Sequence, residues 1–307
     1  MLEWVRKQHG KAYDRELLFG DYKFLVLIGD FVDGNGGFQN GQNMWPAVQN
    51  VFGKALATNN THWPITIAGT PGNHDYKGRE STFGQGTWEG RGKAVDFLGI
   101  LEKNTDGTLP IPGADHPLSS YREFKAGDLT FVAVFIGWLL PQNQKEAIEQ
   151  FIKARPKSLI IVLVHFRDEC LSWTLRKHKN CFTLWEGHQQ TAIRNDGGFA
   201  IPNVDKIDRA NAGSAHIIRA DWQEQPPWGC TDNASNMPQH PIFMVMTFEV
   251  NPDSSRFTMY SSHVQAWDPN NPCYKHSRWN AARARIQNGP EVLFKSHSFN
   301  FTVSEYI

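Results

Sequence analysis

Apolar residues along this chain gather in short uninterrupted runs, and polar residues with chemical potential follow those runs closely. Phe24-Leu25-Val26-Leu27-Ile28 is one such run, closed by Gly29. A strand buried on both faces reads this way. Ahead of it, Leu2 to Arg15 reads as a polar-apolar helix without a capping residue. Val48, Val51, Phe52, Ala55 and Leu56 fall at i, i+3, i+4, i+7 and i+8, the spacing of one helical stripe. Pro64 to Ala68 reads as a second short strand, broken by Gly69 and Pro71. Residues 77–118 are rich in Gly, Thr and Pro and read as a long irregular surface insertion.

Strand signals return at Leu129 to Ile136. A helix is expected from about Asn143, with Ala147, Ile148, Phe151 and Ile152 inward and Pro156 at its exit. Leu159 to Val164 is a further buried strand, and Phe182 to Trp185 a shorter one, followed by a polar loop to about Ala212. Pro241–Val250 and Phe257–Ser261 suit an antiparallel hairpin around Asn251-Pro252-Asp253, and Phe299, Phe301 and Val303 alternate as a closing strand. Strands alternating with helices, then a strand-rich half, predict an α/β sandwich of two sheets flanked by helices. The expected organisation is a single domain over 1–307, with a core at about 20–260 and a C-terminal extension at 262–307.

Composition narrows the function classes. The chain has 31 Lys+Arg against 31 Asp+Glu, so it lacks the basic excess of a broad nucleic-acid footprint. The four cysteines, Cys170, Cys181, Cys230 and Cys273, form no C-x-x-C pair, which removes a zinc-ribbon reading. No apolar run is long enough to span a bilayer as a helix. Gly90-Arg91-Gly92-Lys93 lacks phosphate-loop spacing and reads as loop. Trp138, Trp173, Trp185 and Trp228 read as core or rim packing rather than as a substrate cleft.

The candidate chemistry lies just past the strands. Gly29-Asp30 follows Ile28, and Gly72-Asn73-His74-Asp75 follows the strand ending at Ala68. His165 follows Val164, and Gly187-His188 follows Trp185. Ligands of open α/β sheets bind outside the carboxyl ends of the strands. Four strand ends thus deliver Asp, Asn, His and His toward one place, a donor set suited to Mn, Fe or Zn. Taken singly, Asp30 reads as a turn or cap residue, Asn73 and Asp75 as turn residues, and His165 as a satisfied core histidine. The ordered conjunction points to a metal centre.

Gly29-Asp30-Phe31-Val32-Asp33-Gly34 resembles the G-D-x-x-D-x-G motif of the calcineurin-like metallophosphoesterases. Gly72-Asn73-His74-Asp75 matches their G-N-H-[DE] motif, Val164-His165 resembles their isolated third-motif histidine, and Gly187-His188-Gln189-Gln190 resembles G-H-x-H with glutamine in the last place. The resemblance covers about residues 20–260. It implies a four-layer α/β/β/α sandwich of the metallo-dependent phosphatase type and a dinuclear centre of Mn, Fe or Zn. In that frame Asp30 bridges the metals, and Asn73, His165 and His188 complete the second site. His74 donates to the phosphate oxygen, Asp75 orients His74, and Asp33 tightens the turn.

Two departures bear on one metal. The family's D-x-H motif belongs on a strand upstream of Asp30, and the chain contains no D-x-H. Gln190 replaces the final histidine and offers at most a weak amide. The expectations are one well-bound metal, an exposed edge on the strand ending at Ile28, and a reading frame that starts upstream of Met1, where a leader would also lie. His216 and His263, candidates to replace a lost ligand, read as structural. The implied function is hydrolysis of a phosphate mono- or diester substrate. The alternative is an impaired domain that binds a phosphorylated ligand or a protein partner.

Overall fold

Five- to eight-residue apolar runs cannot bury themselves, so they pair into sheets and the sheets stack. The computed structural model describes residues 5–6, 8–14, 20–32, 38–39, 42–57, 63–76, 88–167, 170–188, 204–209, 212–219, 242–266, 292–293 and 296–307. Its strands are β1 (Phe24–Ile28), β2 (Phe38–Gln39), β3 (Gln42–Asn43), β4 (Thr66–Thr70), β5 (Leu109–Pro110), β6 (Ser120–Ala126), β7 (Leu129–Ile136), β8 (Leu159–Val164), β9 (Cys181–Glu186), β10 (Val204–Arg209), β11 (Ala212–Arg219), β12 (Ile242–Val250), β13 (Arg256–Ala266), β14 (Val292–Leu293) and β15 (Ser296–Thr302). The helices are α1 (Trp45–Ala57), α2 (Asn73–Tyr76), α3 (Trp88–Asn104) and α4 (Gln142–Lys153). No helix among the described residues is long and apolar enough to cross a membrane.

Among the described residues, seven strands form one mixed sheet in the order β10-β11-β9-β8-β7-β6-β5. Its centre, β7-β8-β9-β11, is parallel. β1 and β4 pair in parallel, Phe24 opposite Thr66 through Ile28 opposite Thr70. β12, β13 and β15 form an antiparallel sheet.

Alternation of side chains sorts these elements into layers. Ile148, Phe151 and Ile152 of α4 pack with Val132, Val134, Ile160 and Val162 on one face of the seven-stranded sheet. On its other face, Phe131, Phe135, Ile161 and Phe182 meet Phe257 and Phe301, with Phe24, Val26, Met244 and Phe248 against them. Beyond β1 and β4, Ile65 and Ile67 pack with Trp45 and Leu56 of α1 and Phe97 and Leu101 of α3. The order is helix, sheet, sheet, helix, the expected four-layer α/β/β/α sandwich.

Several local expectations are corrected. The helix expected over Leu2 to Arg15 is, among the described residues, one turn closed by His9 N–H donating to Val5 O, and Gly10 (φ 75) ends it. Residues 77–118 are not irregular throughout. They contain α3, whose Ala94, Phe97, Leu98 and Leu101 form a buried helical stripe, and Gly90–Lys93 lies inside that helix. β4 runs through Gly69 to Thr70, because a side chain at 69 would meet Leu98 and Phe31 of the covering layer. The stripe of α1 is rotated from the expected one: Trp45 and Leu56 are buried, whereas Val51 is 63 % exposed. β10 occupies part of the expected polar loop before Ala212. At the chain end, β15 pairs with β13 from Arg256 opposite Thr302, and Phe301 is in the core.

Candidate metal centre

β1 and β4 run in parallel, so their carboxyl ends lie side by side. β8 and β9 do the same in the other sheet. The four polar segments expected from sequence therefore meet. Asp30 follows β1, Asn73 opens α2 after β4, and His165 and His188 follow β8 and β9.

His165 is the hub. It is 1 % exposed, and its Nε2 lies 3.1 Å from Asn73 Oδ1, 3.0 Å from His188 Nδ1 and 3.3 Å from Asp30 Oδ2. One ligand atom each from Asp30, His165 and His188 fall within 4.8 Å of one another. Donors held at about 2.1 Å around one tetrahedral ion stand about 3.4 Å apart. The second ring nitrogen, Nδ1, lies 3.3 Å from Ile28 O. Donation to that carbonyl fixes the tautomer and aims the Nε2 lone pair at the cluster, as in metal-bound histidines. Two imidazole nitrogens, a carboxylate and an amide oxygen so placed fit a divalent cation.

The backbone is shaped around this hub. Asp30 adopts φ 46, a left-handed conformation that short polar residues tolerate. Gly29 (φ 75) and Gly72 allow close approach: a β-carbon would overlap His165 at the first and the Asp30 carboxylate at the second. The N–H groups of Gly187 and His188 both donate to His165 O, at 3.1 and 2.8 Å, so the two histidine loops are tied together.

Charge follows the same geometry. Burial would push the Asp30 carboxyl up, but the hydrogen bond and charge of His165, with the His74 N–H donated to Oδ1 at 3.0 Å, hold it below the usual carboxylate range. Burial would depress His165; its contact with Asp30 outweighs this and raises it. Asp75 is fully buried, and burial pushes its carboxyl up to about 8. Its oxygens accept from Gly72 N–H at 2.7 Å and Val32 N–H at 3.2 Å. Asp75 thus ties the turn before α2 to the loop after β1. Asp33 and Gln190 lie outside the described residues, as do Cys230, Cys273, Trp228 and the side chain of His263.

Other expectations find places elsewhere. The ring of His216 on β11 packs against Phe299 and Phe301, with centroids 4.9 and 5.4 Å away, between the sheets. Trp138 and Trp185 are core residues at 7 % and 4 % exposure. Sequence reasoning passed over Glu186, a buried carboxylate at the end of β9. It accepts from the Arg167 N–H at 3.2 Å and from Arg219 Nε, and it holds the loop after His165 to the strand that carries His188. An acidic residue closing an apolar strand one place before Gly187 was the available signal.

With the fold and cluster established, the sequence profile of calcineurin-like phosphoesterases matches residues 8–189, more than half of the chain. The chain belongs to the calcineurin-like phosphoesterase family. No curated protein matches it. Among solved structures, a double-mutant form of Vps29 from Entamoeba histolytica is 14% identical over 90% of this chain and 99% of that one, with a TM-score of 0.27. A single-mutant form of the same protein is 14% identical over 90% and 98%, with a TM-score of 0.24. At that overlap neither bears on function.

Proposed function

We propose that this protein hydrolyses phosphate mono- or diesters at the Asp30–Asn73–His165–His188 cluster. The observation that carries the reading is the convergence of three further ligand atoms within 3.3 Å of His165 Nε2, on strand ends from two sheets. A divalent cation held there would neutralise phosphate charge and lower the pKa of a water for in-line attack. Asp30, Asn73, His165 and His188 would hold the ion, and Asn73 would do so without adding negative charge. His74, on the same turn as Asn73, donates a proton or hydrogen bond to the phosphate oxygen, a role an imidazole can fill as a general acid. Asp75 positions that turn through the Gly72 and Val32 amides.

A second reading has its own support. The chain contains no D-x-H, and Gln190 stands where the resemblance places a last histidine. On the resemblance, both positions belong to a first metal. On that reading the domain holds one ion and binds a phosphorylated ligand without turning it over.

Mn²⁺-dependent hydrolysis of an aryl phosphodiester separates the two. Activity in the wild type that is lost in Asp30→Ala and reduced by about 10²–10⁴-fold in His74→Ala supports the enzyme. Inactive wild type that still binds one Mn²⁺ per chain supports the binding domain. Two tightly bound metals per chain would contradict the single-ion assignment.

A further inference from the structure

The chemistry proposed for the cluster makes no use of the buried Glu186–Arg219 ion pair. Register explains how the two meet. In the parallel ladder, Glu186 of β9 stands opposite Val164 of β8 on one side and Arg219 of β11 on the other. Side chains alternate between the faces of a strand, and residues opposite each other share a face. Val164 packs in the cluster under α4, so Glu186 and Arg219 lie on that outer face. Trp185, one residue earlier, lies between the sheets. His165, one residue past Val164, turns the other way and meets Asp30. The pair therefore stands behind the metal cluster rather than in it.

Glu186 acts on the cluster through the two histidine loops. One of its oxygens accepts from Arg219 Nε, and the other accepts the Arg167 N–H at 3.2 Å, two residues past His165. Arg167 Nε lies 3.9 Å from the first oxygen. Along the chain, Glu186 leads into Gly187, where an added β-carbon would lie 2.2 Å from Ile28 O, and then into His188. Ile28 O is also the carbonyl that faces His165 Nδ1 at 3.3 Å. A carboxylate in that place ties the loop after His165 to β9 and seats the start of the His188 loop against the end of β1. Arg219 keeps it there, because a buried charge that loses its partner is left uncompensated.

We propose that Glu186, held by Arg219, is a positioning residue that sets the 3.0 Å approach of His188 Nδ1 to His165 Nε2, on the reading above that the cluster holds a divalent cation. Groups that orient metal-binding histidines from behind govern affinity without touching the ion. Through Arg219, that control extends to β11, a strand that supplies no ligand.

The test uses Glu186→Gln, which keeps the side chain's shape, Arg219→Met, and the double variant, in which neither charge is left buried alone. Calorimetric titration with Mn²⁺ is expected to show binding weaker by about 10–100-fold in each. The losses should not add in the double variant, because the pair acts as a unit. In metal-free protein, the ring ¹⁵N resonances of His165 and His188 should move, while those of His116, in the turn before β6, stay in place. Unmoved His165 and His188 rings would overturn the proposal, whether or not Mn²⁺ binds. So would unchanged affinity in variants of a wild type that binds Mn²⁺. Additive losses, or displacement of the His116 ring as well, would make the pair a general support of the fold and would also overturn it. A wild type that binds no Mn²⁺, with His165 and His188 rings that still move in the variants, would remove the cation and leave the positioning role standing.

Discussion

His216 shows how a residue type suited to metal chemistry takes a structural post. Its ring lies between the sheets against Phe299 and Phe301. Burial, aided by the charge of Lys206, pushes its pKa down to about 4. A histidine in an unfolded chain titrates near 6.5. Between those values the unfolded chain carries a proton that the folded chain refuses, so this residue's contribution to stability falls as pH drops through the window. His216→Leu is therefore expected to flatten the fall of the thermal midpoint between about pH 6.5 and 4. Parallel profiles for the variant and wild type would place the acid sensitivity elsewhere.

At the scale of elements, α3 tests what positions the cluster from behind. Phe97 is fully buried, 5.3 Å from the Phe52 ring and 5.1 Å from Phe31, next to Asp30. Phe97→Ala is expected to cost about 3–5 kcal/mol in urea denaturation. Val51→Ser, on the exposed face of α1, should stay within about 0.5 kcal/mol. A large loss at Val51 would show that the face is covered in solution. Legibility in the sequence divides along the same lines. β8, α4 and the β12–β13 hairpin were readable because their periodicity is unbroken and proline or turn residues mark their ends. The stripe of α3 was equally periodic, but Gly90 and Gly92 in its first turns, after a Gly- and Thr-rich stretch, mimic loop. β10 carries Asp205, Lys206, Asp208 and Arg209 at a sheet edge, where pairing with β11 rather than burial holds it. The cluster residues were readable because each follows an apolar strand that delivers it. Glu186 was not, because it ends its strand as a charge whose partner, Arg219, is far along the chain.

For the whole molecule, metal binding at the cluster would be linked to folding, since its four residues are spread from Asp30 to His188 along the chain and are brought together by the fold. Mn²⁺ at about 100-fold over its dissociation constant would add about 2.7 kcal/mol to unfolding, read as a higher thermal midpoint. Asp30→Ala should abolish most of that rise. Equal rises in the variant and wild type would place the ion somewhere else.

The parentage of those four residues carries a consequence of its own. Asp30 and Asn73 extend from β1 and β4, whereas His165 and His188 extend from β8 and β9 in the opposing sheet. An ion among them would act as a clasp across the sandwich, and its affinity would gauge the spacing between the two layers. Trimming a ring in the intervening core, such as Phe24 against Phe135 and Trp185, would then loosen the grip on metal without altering a single ligand.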